Sequence, residues 1–527
     1  MTRTPLVRAF RGPSFTVGER PRLGDVAADG DRAQSTAMWA STQLEQEEAA
    51  DDGVDVAVLG AGVAGLVAAG ELEALGHRVT VMEGSERIGG RVYTHRFGTA
   101  HDAPYAELGA MRIPSSHELT MRYVKKLGLE SALRPFRTIL SDDNNYVTTG
   151  KGFVRVKDAA APLLADLHGL LPAARRASYK EHTLLFGAWL TALVRAVAPA
   201  ELRDNLASEL TTLLPLADDT DLTPYVHGVR ADRLHLGPVF RDHPGLRAGC
   251  SPRLCGFLDD LLLETDTDLM CLSGGMSRIV DRLAERLRAP VLMGHEVVTL
   301  HAERDRAGVG LRVGGRGLTR GFPAVLCTLP FSVLRGMALT GIDDDKREVI
   351  SSVEYGAATK VALHCRDAFW EADGTRGGAS ATGGRARQTY YPPCEGDPAK
   401  GATLLGSYAI AEDADLLGRF PAQVRHAAAV EELSLLYPQL KEPGVVLDAA
   451  SIAWAGNRWS NGCTSRRWRW GRDAGRCADE MRRAARPQGR LFFAGEHCSA
   501  TPAWINGAIE SALTAVTEID EALKGAR

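Results

Sequence analysis

Three kinds of feature are missing from this chain of 527 residues. No apolar run reaches the roughly 20 residues of a membrane-spanning helix, so we expect no membrane span. The nine cysteines form no CxxC pair and no zinc-like spacing with histidine, which predicts no metal site and a reduced, cytoplasmic chain. The net charge is −4 and the pI about 6.4, so neither nucleic acid nor an anionic membrane surface is an expected partner.

The composition that remains indicates a globular protein of several domains. Hydrophobic residues make up 45% of the chain and charged residues 24%, and the chain is too long for one ordinary core. Residues 1–52 begin basic, turn acidic and lack the apolar stretch of a secretory signal, so we expect an N-terminal arm. Residues 151–265 are rich in helical patterns, as in "YKEHTLLFGAWLTALVRAVA" (179–198).

A dinucleotide-binding motif begins at Val54. The run "VDVAVLG" (54–60) is typical of a buried parallel strand, and it leads into "GAGVAG" with GxGxxG spacing. A helical stretch then ends at Gly76, and the second strand, "RVTVME", ends at Glu83. Glycines let a pyrophosphate approach the backbone at the helix N-terminus, and the acidic residue can bind ribose hydroxyls. Because an acidic residue disfavours a 2′-phosphate, the motif leaves FAD and NAD as candidates.

Two further stretches favour FAD over NAD. Gly89-Gly90-Arg91 follows the second strand and suits close approach of the backbone to phosphate or ribityl groups. Near the C-terminus, "RLFFAGEH" (490–497) is typical of a strand, and an amphipathic helix follows from about Trp504. This second strand–turn–helix can bring another helix N-terminus to a long cofactor that has a second functional end.

The stretch "YAELGAMRIPSSHELTMRYVKKLGL" (105–129) resembles the L-amino acid oxidase branch of the flavin-containing amine oxidase superfamily. Five further, separated motifs resemble, in the same order, those of the superfamily as a whole. They are "VAVLGAGVAGL…VMEGSERIGGRVYT", "LSGGMSRIVDRLAERL", "EVVTL", "GAATKVALHCRDAFWE" and "FFAGEHCSATPAWINGAIES". The resemblance runs from about Val54 to the C-terminus and is weakest in parts of 150–265. It implies an α/β (α+β multi-domain) fold, with a Rossmann-like FAD-binding domain built from discontinuous segments, a mixed-sheet substrate domain and a helical insertion.

The resemblance also implies where these domains begin and end. The expected segments are the arm (1–52), the FAD-binding domain (53–95, 266–350 and 456–527), the substrate-binding domain (96–150 and 351–455) and the helical domain (151–265).

The same resemblance implies which residues contact FAD, with Val297 meeting the adenine through its backbone. The expected cofactor-binding set is Gly60, Ala61, Gly62, Val63, Ala64, Gly65, Glu83, Gly84, Gly90, Arg91, Gly109, Ala110, Met111, Arg112, Val297, Gly495, Glu496, Ala503, Trp504 and Ile505.

Arg112 lies in the largely apolar stretch "ELGAMRIP" (107–114). An arginine in such a setting either pairs with an internal acid, such as Glu107, or binds an anion. In L-amino acid oxidases the matching arginine binds the α-carboxylate of the substrate, and a tyrosine that matches Tyr408 donates to the same group. The resemblance therefore implies that Arg112 and Tyr408 bind substrate.

Lys360 is the expected catalytic residue. It lies on the alternating stretch "KVALHC", where a lysine is most often a solvated charge at a strand edge. In the family, the matching lysine holds a water against flavin N5.

The remaining candidate site residues help to distinguish between the branches of the family. Trp504 matches one wall of the aromatic cage of amine oxidases, but the other wall falls at Thr464, which weakens the monoamine oxidase interpretation. The carbonyl of Ala503 is expected to accept from the substrate amine. Cys463 matches the cysteine that bonds covalently to flavin in monoamine oxidases; L-amino acid oxidases usually lack this bond, so both states stay open.

The expected activity is oxidative deamination of an L-amino acid by O₂. Hydride transfer from Cα to flavin N5 would give a 2-oxo acid, ammonia and hydrogen peroxide. The alternatives are an amino acid monooxygenase, a monoamine or polyamine oxidase, and a flavoprotein scaffold without turnover. We expect a homodimer, and the sequence leaves the side chain of the substrate undetermined.

Overall fold

The computed structural model describes most of the chain from residue 53 onward. The described ranges are 53–100, 102–265, 268–384, 386–465 and 474–525, apart from side chains at 259–265 and 474–477. The expected N-terminal arm lies outside the described residues. Within them, none of the helices is long and apolar enough to span a bilayer.

The strands, in chain order, are β1 (Asp55–Leu59), β2 (Arg78–Met82), β3 (Thr94–Arg96), β4 (Tyr105–Glu107), β5 (Ile113–Pro114), β6 (Leu133–Pro135), β7 (Tyr146–Thr149), β8 (Gly152–Arg155), β9 (Val226–His227), β10 (Arg233–Leu234), β11 (Leu269–Leu272), β12 (His295–Ala302), β13 (Ala307–Val313), β14 (Arg316–Phe322), β15 (Ala324–Cys327), β16 (Ala338–Thr340), β17 (Tyr355–Gly356), β18 (Ala358–Cys365), β19 (Ala379–Gly383), β20 (Arg387–Tyr390), β21 (Ala402–Ile410), β22 (Val446–Ala453), β23 (Thr464–Ser465) and β24 (Leu491–Phe493).

The α-helices are α1 (Val63–Ala74), α2 (Glu118–Lys126), α3 (Ala160–Leu170), α4 (Ala173–Arg176), α5 (Glu181–Val197), α6 (Ala200–Asp204), α7 (Leu206–Asp218), α8 (Leu236–Asp242), α9 (Pro244–Ala248), α10 (Pro252–Thr265), α11 (Arg278–Ala284), α12 (Phe331–Leu334), α13 (Asp344–Ser352), α14 (Phe369–Ala372), α15 (Ala411–Gly418), α16 (Ala422–Leu433), α17 (Ala474–Ala485) and α18 (Ile505–Lys524).

A four-stranded parallel sheet, in the order β2-β1-β15-β24, forms the dinucleotide-binding part. Both faces of β1 are buried, as parallel strands require. Val56 and Val58 pack with the helices α1 and α18, while Ala57 and Leu59 pack with a second four-stranded sheet, in the order β14-β13-β12-β16. Because β1 and β24 lie more than 400 residues apart in the chain, the predicted assembly from discontinuous segments is confirmed.

A seven-stranded mixed sheet, in the order β22-β18-β21-β20-β19-β7-β8, forms the second part. Its β19–β7 pair is parallel and its other pairs are antiparallel. The helices α3 to α10 follow β8 in the chain, and apolar residues of α5 pack with Ala381 and Leu405 of the sheet. A separate core covers Leu363 and Leu404 together with α16. The mixed sheet and the helical insertion are thus confirmed, and we retain the segment boundaries as a proposal.

Candidate active site

One cavity of about 450 Å³ brings together nearly all the predicted site residues. Its wall is formed by residues of the parallel sheet, the mixed sheet and the helical region. The predicted residues that line it are Gly60, Gly62, Val63, Ala64, Glu83, Gly84, Gly90, Arg91, Gly109, Ala110, Met111, Arg112, Val297, Lys360, Tyr408, Cys463, Thr464, Gly495, Glu496, Ala503, Trp504 and Ile505. Ala61 and Gly65 lie outside this lining set.

Ala61 and Gly65 shape the turn between β1 and α1 instead of lining the cavity. The Ala61 N–H donates to Glu83 Oε2 at 2.8 Å. A Cβ on Gly65 would lie 1.9 Å from the Gly60 carbonyl oxygen, so only glycine lets α1 approach β1 this closely. Gly60 itself has φ +98°, a conformation that side chains disfavour.

The adenosine end of the expected cofactor site contains Glu83 and Val297. Glu83 is 8% exposed, and its Oε1 accepts from the Ser85 N–H at 2.9 Å. Val297 lies where the β12–β13 register shifts, between Val297 and Thr299. Such a bulge takes backbone groups out of the regular ladder, which leaves them available to a ligand.

The residues around α1 fit FAD. A Cβ built on Gly62 would meet nothing within 4 Å, and one on Gly90 would meet only the Gly62 Cα, at 3.6 Å. Side chains here would enter the cavity, so the glycines keep open a cradle at the N-terminus of α1, where a pyrophosphate is favoured. The N-terminus of α18 borders the same cavity through Trp504 and Ile505.

Arg91 and Glu496 form a buried ion pair in the cavity wall. Arg91 Nη1 lies 2.6 Å from Glu496 Oε1, and it also donates to the Cys463 carbonyl at 3.0 Å. Burial alone would raise the pKa of Glu496, but Arg91 and neighbouring donors outweigh it and hold this pKa at about 2. Glu496 also accepts from the Ala503 N–H at 2.9 Å, and Ala503 has φ +71°. The pair therefore fixes Ala503 in a conformation that costs energy outside such support.

Lys360 is buried, at 3% exposure, and lies on β18 opposite Tyr408 of β21. Its Nζ donates to the Gly109 carbonyl at 2.7 Å and to the Glu107 carbonyl at 3.2 Å. Burial lowers the pKa of Lys360 to about 8, although Cys463 and Glu107 oppose that shift. The lysine is thus a buried group of the cavity wall, and the edge-charge interpretation does not apply.

Arg112 lies close to Lys360 and lines the same cavity as Tyr408. Its charge contributes to lowering the pKa of Lys360, and its guanidinium carbon lies 5.9 Å from the centre of the Phe136 ring. The carboxylate of Glu107 has other partners: it accepts from the Met276 N–H at 2.7 Å and from the Thr94 hydroxyl. These contacts use part of the acceptor capacity of the Glu107 carboxylate, and a pair with Arg112 stays an alternative.

The aromatic wall is built at the start of α18. Trp504 is the residue before that helix, and its ring meets His117 edge-on at a centroid distance of 5.1 Å. Thr464 and Cys463 also line the cavity, Thr464 in the short pair of β23 with Gly356 of β17. One aromatic wall and one threonine wall differ from the two-walled cage of amine oxidases.

Sequence reasoning missed many residues of this cavity, among them Gln388 of β20 and the helical-region residues Val197, Pro199 and Phe257. The three apolar residues come from the segment where the resemblance is weakest. Gln388 lies on β20, a strand that carries none of the predicted site residues. Only the pairing of β20 with β21 brings it beside Tyr408.

The fold and this cavity define a flavin-dependent amine oxidoreductase. Residues 63–520 match the family described as flavin containing amine oxidoreductase, and the chain belongs to that family. FAD is its cofactor, and the glycine cradle at α1 fits it.

Individual members of the family, and one solved structure, resemble this chain over most of its length. The flavin-dependent L-tryptophan oxidase RebO of Lentzea aerocolonigenes is 52% identical over 88% of this chain and 98% of its own length. The L-amino-acid oxidase of Pseudechis australis is 25% identical over 88% of this chain and 86% of its own length. A solved structure of putrescine oxidase has a TM-score of 0.58 at 20% identity and covers 89% of this chain and 99% of that one, which shows the fold alone.

Proposed function

We propose that this chain is an FAD-dependent L-amino acid oxidase. The observation that carries the proposal is that Arg112 and Tyr408 line the same cavity as Lys360. A planar guanidinium with parallel N–H donors matches a carboxylate, a group that simple amines lack. The names of the relatives, an L-tryptophan oxidase and an L-amino-acid oxidase, support the same chemistry.

The chemistry divides between cofactor and protein. FAD, held at the glycine cradle of α1, would supply a two-electron oxidation in which the amino acid becomes an imino acid and O₂ becomes hydrogen peroxide. The protein mainly positions the reactants. Arg112 and Tyr408 hold the α-carboxylate, and the Ala503 carbonyl accepts from the amine. Lys360 donates a hydrogen bond to water beside the reacting atoms, and water then hydrolyses the imino acid to the 2-oxo acid and ammonia.

We also propose a bulky aromatic side chain for the substrate, with L-tryptophan as the first candidate. Val197, Pro199 and Phe257 give the cavity an apolar wall from the helical region. Such a wall suits an aromatic ring, which buries a large area. The L-tryptophan oxidase at 52% identity supports this choice.

The function is tested by measuring peroxide with each common L-amino acid and with the matching amine that lacks the carboxylate. We expect turnover of L-tryptophan and almost none of tryptamine. Arg112→Ala should lower kcat/KM for L-tryptophan by about 100- to 1000-fold, because truncation leaves a buried anion unpaired. Arg122→Ala, on the surface of α2, is the matched control and should behave as wild type.

Two results would contradict this proposal. If Arg112→Ala were as active as wild type, Arg112 would not be the residue that binds the substrate carboxylate. Release of carbon dioxide and a carboxamide, in place of a 2-oxo acid and ammonia, would make the enzyme a monooxygenase.

Three lesser proposals go with this function. Cys463 lines the cavity, where it could bond covalently to the flavin. Acid precipitation distinguishes a covalent flavin, which stays with the protein, from one that dissociates.

We propose that the protein is a homodimer, which light scattering can measure. The exposed apolar side chains of Leu416, Phe420 and Val424 are compatible with a contact surface. A cytoplasmic location is supported by the eight described cysteines, none of which forms a disulfide with another described residue.

A further inference from the structure

Gln388 is a buried amide with unused donors in the wall of the cavity. The residue is 3% exposed and lines the cavity near Tyr408. Its Oε1 accepts from the Tyr390 hydroxyl at 3.0 Å. Among the described residues, its Nε2 donates no hydrogen bond. A buried amide usually has its hydrogen-bonding groups satisfied, so these two N–H donors indicate a ligand.

A strained bulge places Gln388 there. Arg387 and Gln388 both stand opposite Tyr408 in the β20–β21 register, and Arg387 has φ +58°. Two contacts hold the strained residue: its Nε lies 3.2 Å from Asp413 Oδ2, and its Nη2 donates to the Ala198 carbonyl at 3.2 Å. Bulges redirect side chains and recur beside active sites, and supported backbone strain points to a functional role.

The neighbours of Gln388 indicate what its donors bind. Tyr408 stands between Gln388 on β20 and Lys360 on β18, so the three form one row across the sheet. Arg112 lies near Lys360. Of these four residues, Arg112 and Lys360 are cationic, while Tyr408 and Gln388 carry a hydroxyl and an amide donor. A carboxylate can accept about four hydrogen bonds and matches such a set, whereas an indole N–H or an ammonium does not.

We propose that Gln388 donates from Nε2 to the α-carboxylate of the bound amino acid, as a further donor beside Arg112 and Tyr408. The inference rests on the proposed amino acid oxidase function. Tyr390 is a positioning residue for this contact, because its hydroxyl occupies Oε1 and so turns the amide N–H groups toward the ligand. Gln388 then selects for the carboxylate and is indifferent to the side chain behind it.

The experiment compares the holoenzyme with Gln388→Met, which keeps the volume, and Gln388→Glu, which replaces the donor by an anion. The first readout is KM and kcat for several L-amino acids. Gln388→Met should raise KM by about 10- to 100-fold and by the same factor for each amino acid, because one hydrogen bond to a charged group is lost. Gln388→Glu should raise it further. Thr389→Val is the matched control, since Thr389 is buried in the same strand, bonds the Gly406 carbonyl and is not part of the cavity wall.

The second readout is binding without turnover, measured by calorimetry with indole-3-propionate, which has the carboxylate, and with indole, which lacks it. Gln388→Met should weaken the former by a similar factor and leave the latter unchanged. If wild type oxidises no L-amino acid, the proposed function fails, and this binding comparison still tests Gln388. Unchanged carboxylate binding, or a loss confined to one side chain, would overturn the proposal.

Discussion

At the scale of single residues, Lys360 shows how burial prepares a charged group for a reaction site. Its ammonium is held by two backbone carbonyls and lies 4.8 Å from the centre of the Tyr408 ring. A lysine so enclosed loses hydration, which is why its pKa falls to about 8 from an ordinary value near 10.5. The neutral form therefore becomes accessible under mildly alkaline conditions.

This shift predicts a pH dependence of stability. Between about pH 8 and 10.5 the unfolded chain keeps the Lys360 proton longer than the folded chain, so the free energy of unfolding rises with pH. The cost of burying the charge is fully present below this window and disappears above it. Relative to Lys360→Met, wild type should gain about 1–3 kcal/mol across the window, measured by urea unfolding.

The control for this prediction is Lys441→Met, which removes an exposed lysine that is ion-paired with Glu431. Its stability should run parallel to wild type over the same pH range. If the free energy of unfolding of Lys360→Met ran parallel to that of wild type over this pH range, the buried ammonium would have an ordinary pKa.

The predictability of the site differs among its residues. Glu83 could be located from local pattern alone, because strand, turn, helix and strand follow one another in sequence. Arg112 and Tyr408 needed the family resemblance, since a single arginine or tyrosine has several common roles. The significance of Gln388 depends on a bulge and on the Tyr390 hydroxyl, and neither is visible before the strands are paired.

At the scale of elements, β1 and α1 form a unit whose geometry is largely local. The predicted strand at 54–60 is found as Asp55–Leu59, and the helix ends at Ala74, followed by Gly76 with φ +90°. The bulge in β20, in contrast, is held by Asp413 and by the Ala198 carbonyl, which are distant in the chain. Such tertiary contacts cannot be predicted from the local sequence pattern.

Two glycines of α1 provide a matched test of this unit. Gly65→Ala would place a Cβ 1.9 Å from the Gly60 carbonyl oxygen, so the helix must move away from β1. We expect a loss of about 1–3 kcal/mol in the free energy of unfolding, together with a lower flavin content, because the turn at the pyrophosphate is disturbed.

Gly70→Ala is the control on the same helix. Its Cβ would meet only Leu287, at 3.9 Å, which is ordinary contact. Alanine in a helix interior should be neutral or more stable than glycine by about 0.5–1 kcal/mol, with unchanged flavin content. Equal flavin content and thermal midpoint in the two variants would refute a special role for Gly65.

At the scale of the whole molecule, one ion cluster joins the helical region to the mixed sheet. Asp413, in the first turn of α15, contacts Arg387 of β20 at 3.2 Å and Arg203 of α6 at 2.9 Å. Arg387 also bonds the Ala198 carbonyl, between the cavity residues Val197 and Pro199. The cluster therefore fixes the apolar wall of the cavity relative to the strands that carry Tyr408 and Gln388.

Asp413→Asn tests this connection, because it leaves two guanidinium groups facing each other with no carboxylate between them. The Arg387 side chain is 5% exposed, so water cannot easily compensate, and we expect a loss of about 2–4 kcal/mol in the free energy of unfolding. The apolar wall should also shift, which raises KM more for L-tryptophan than for a small amino acid such as L-alanine. Glu431→Gln, which breaks the exposed pair with Lys441, should cost only about 0–1 kcal/mol and leave both KM values unchanged. If Asp413→Asn resembled that control in both stability and KM, the helical region would be positioned by its apolar core alone.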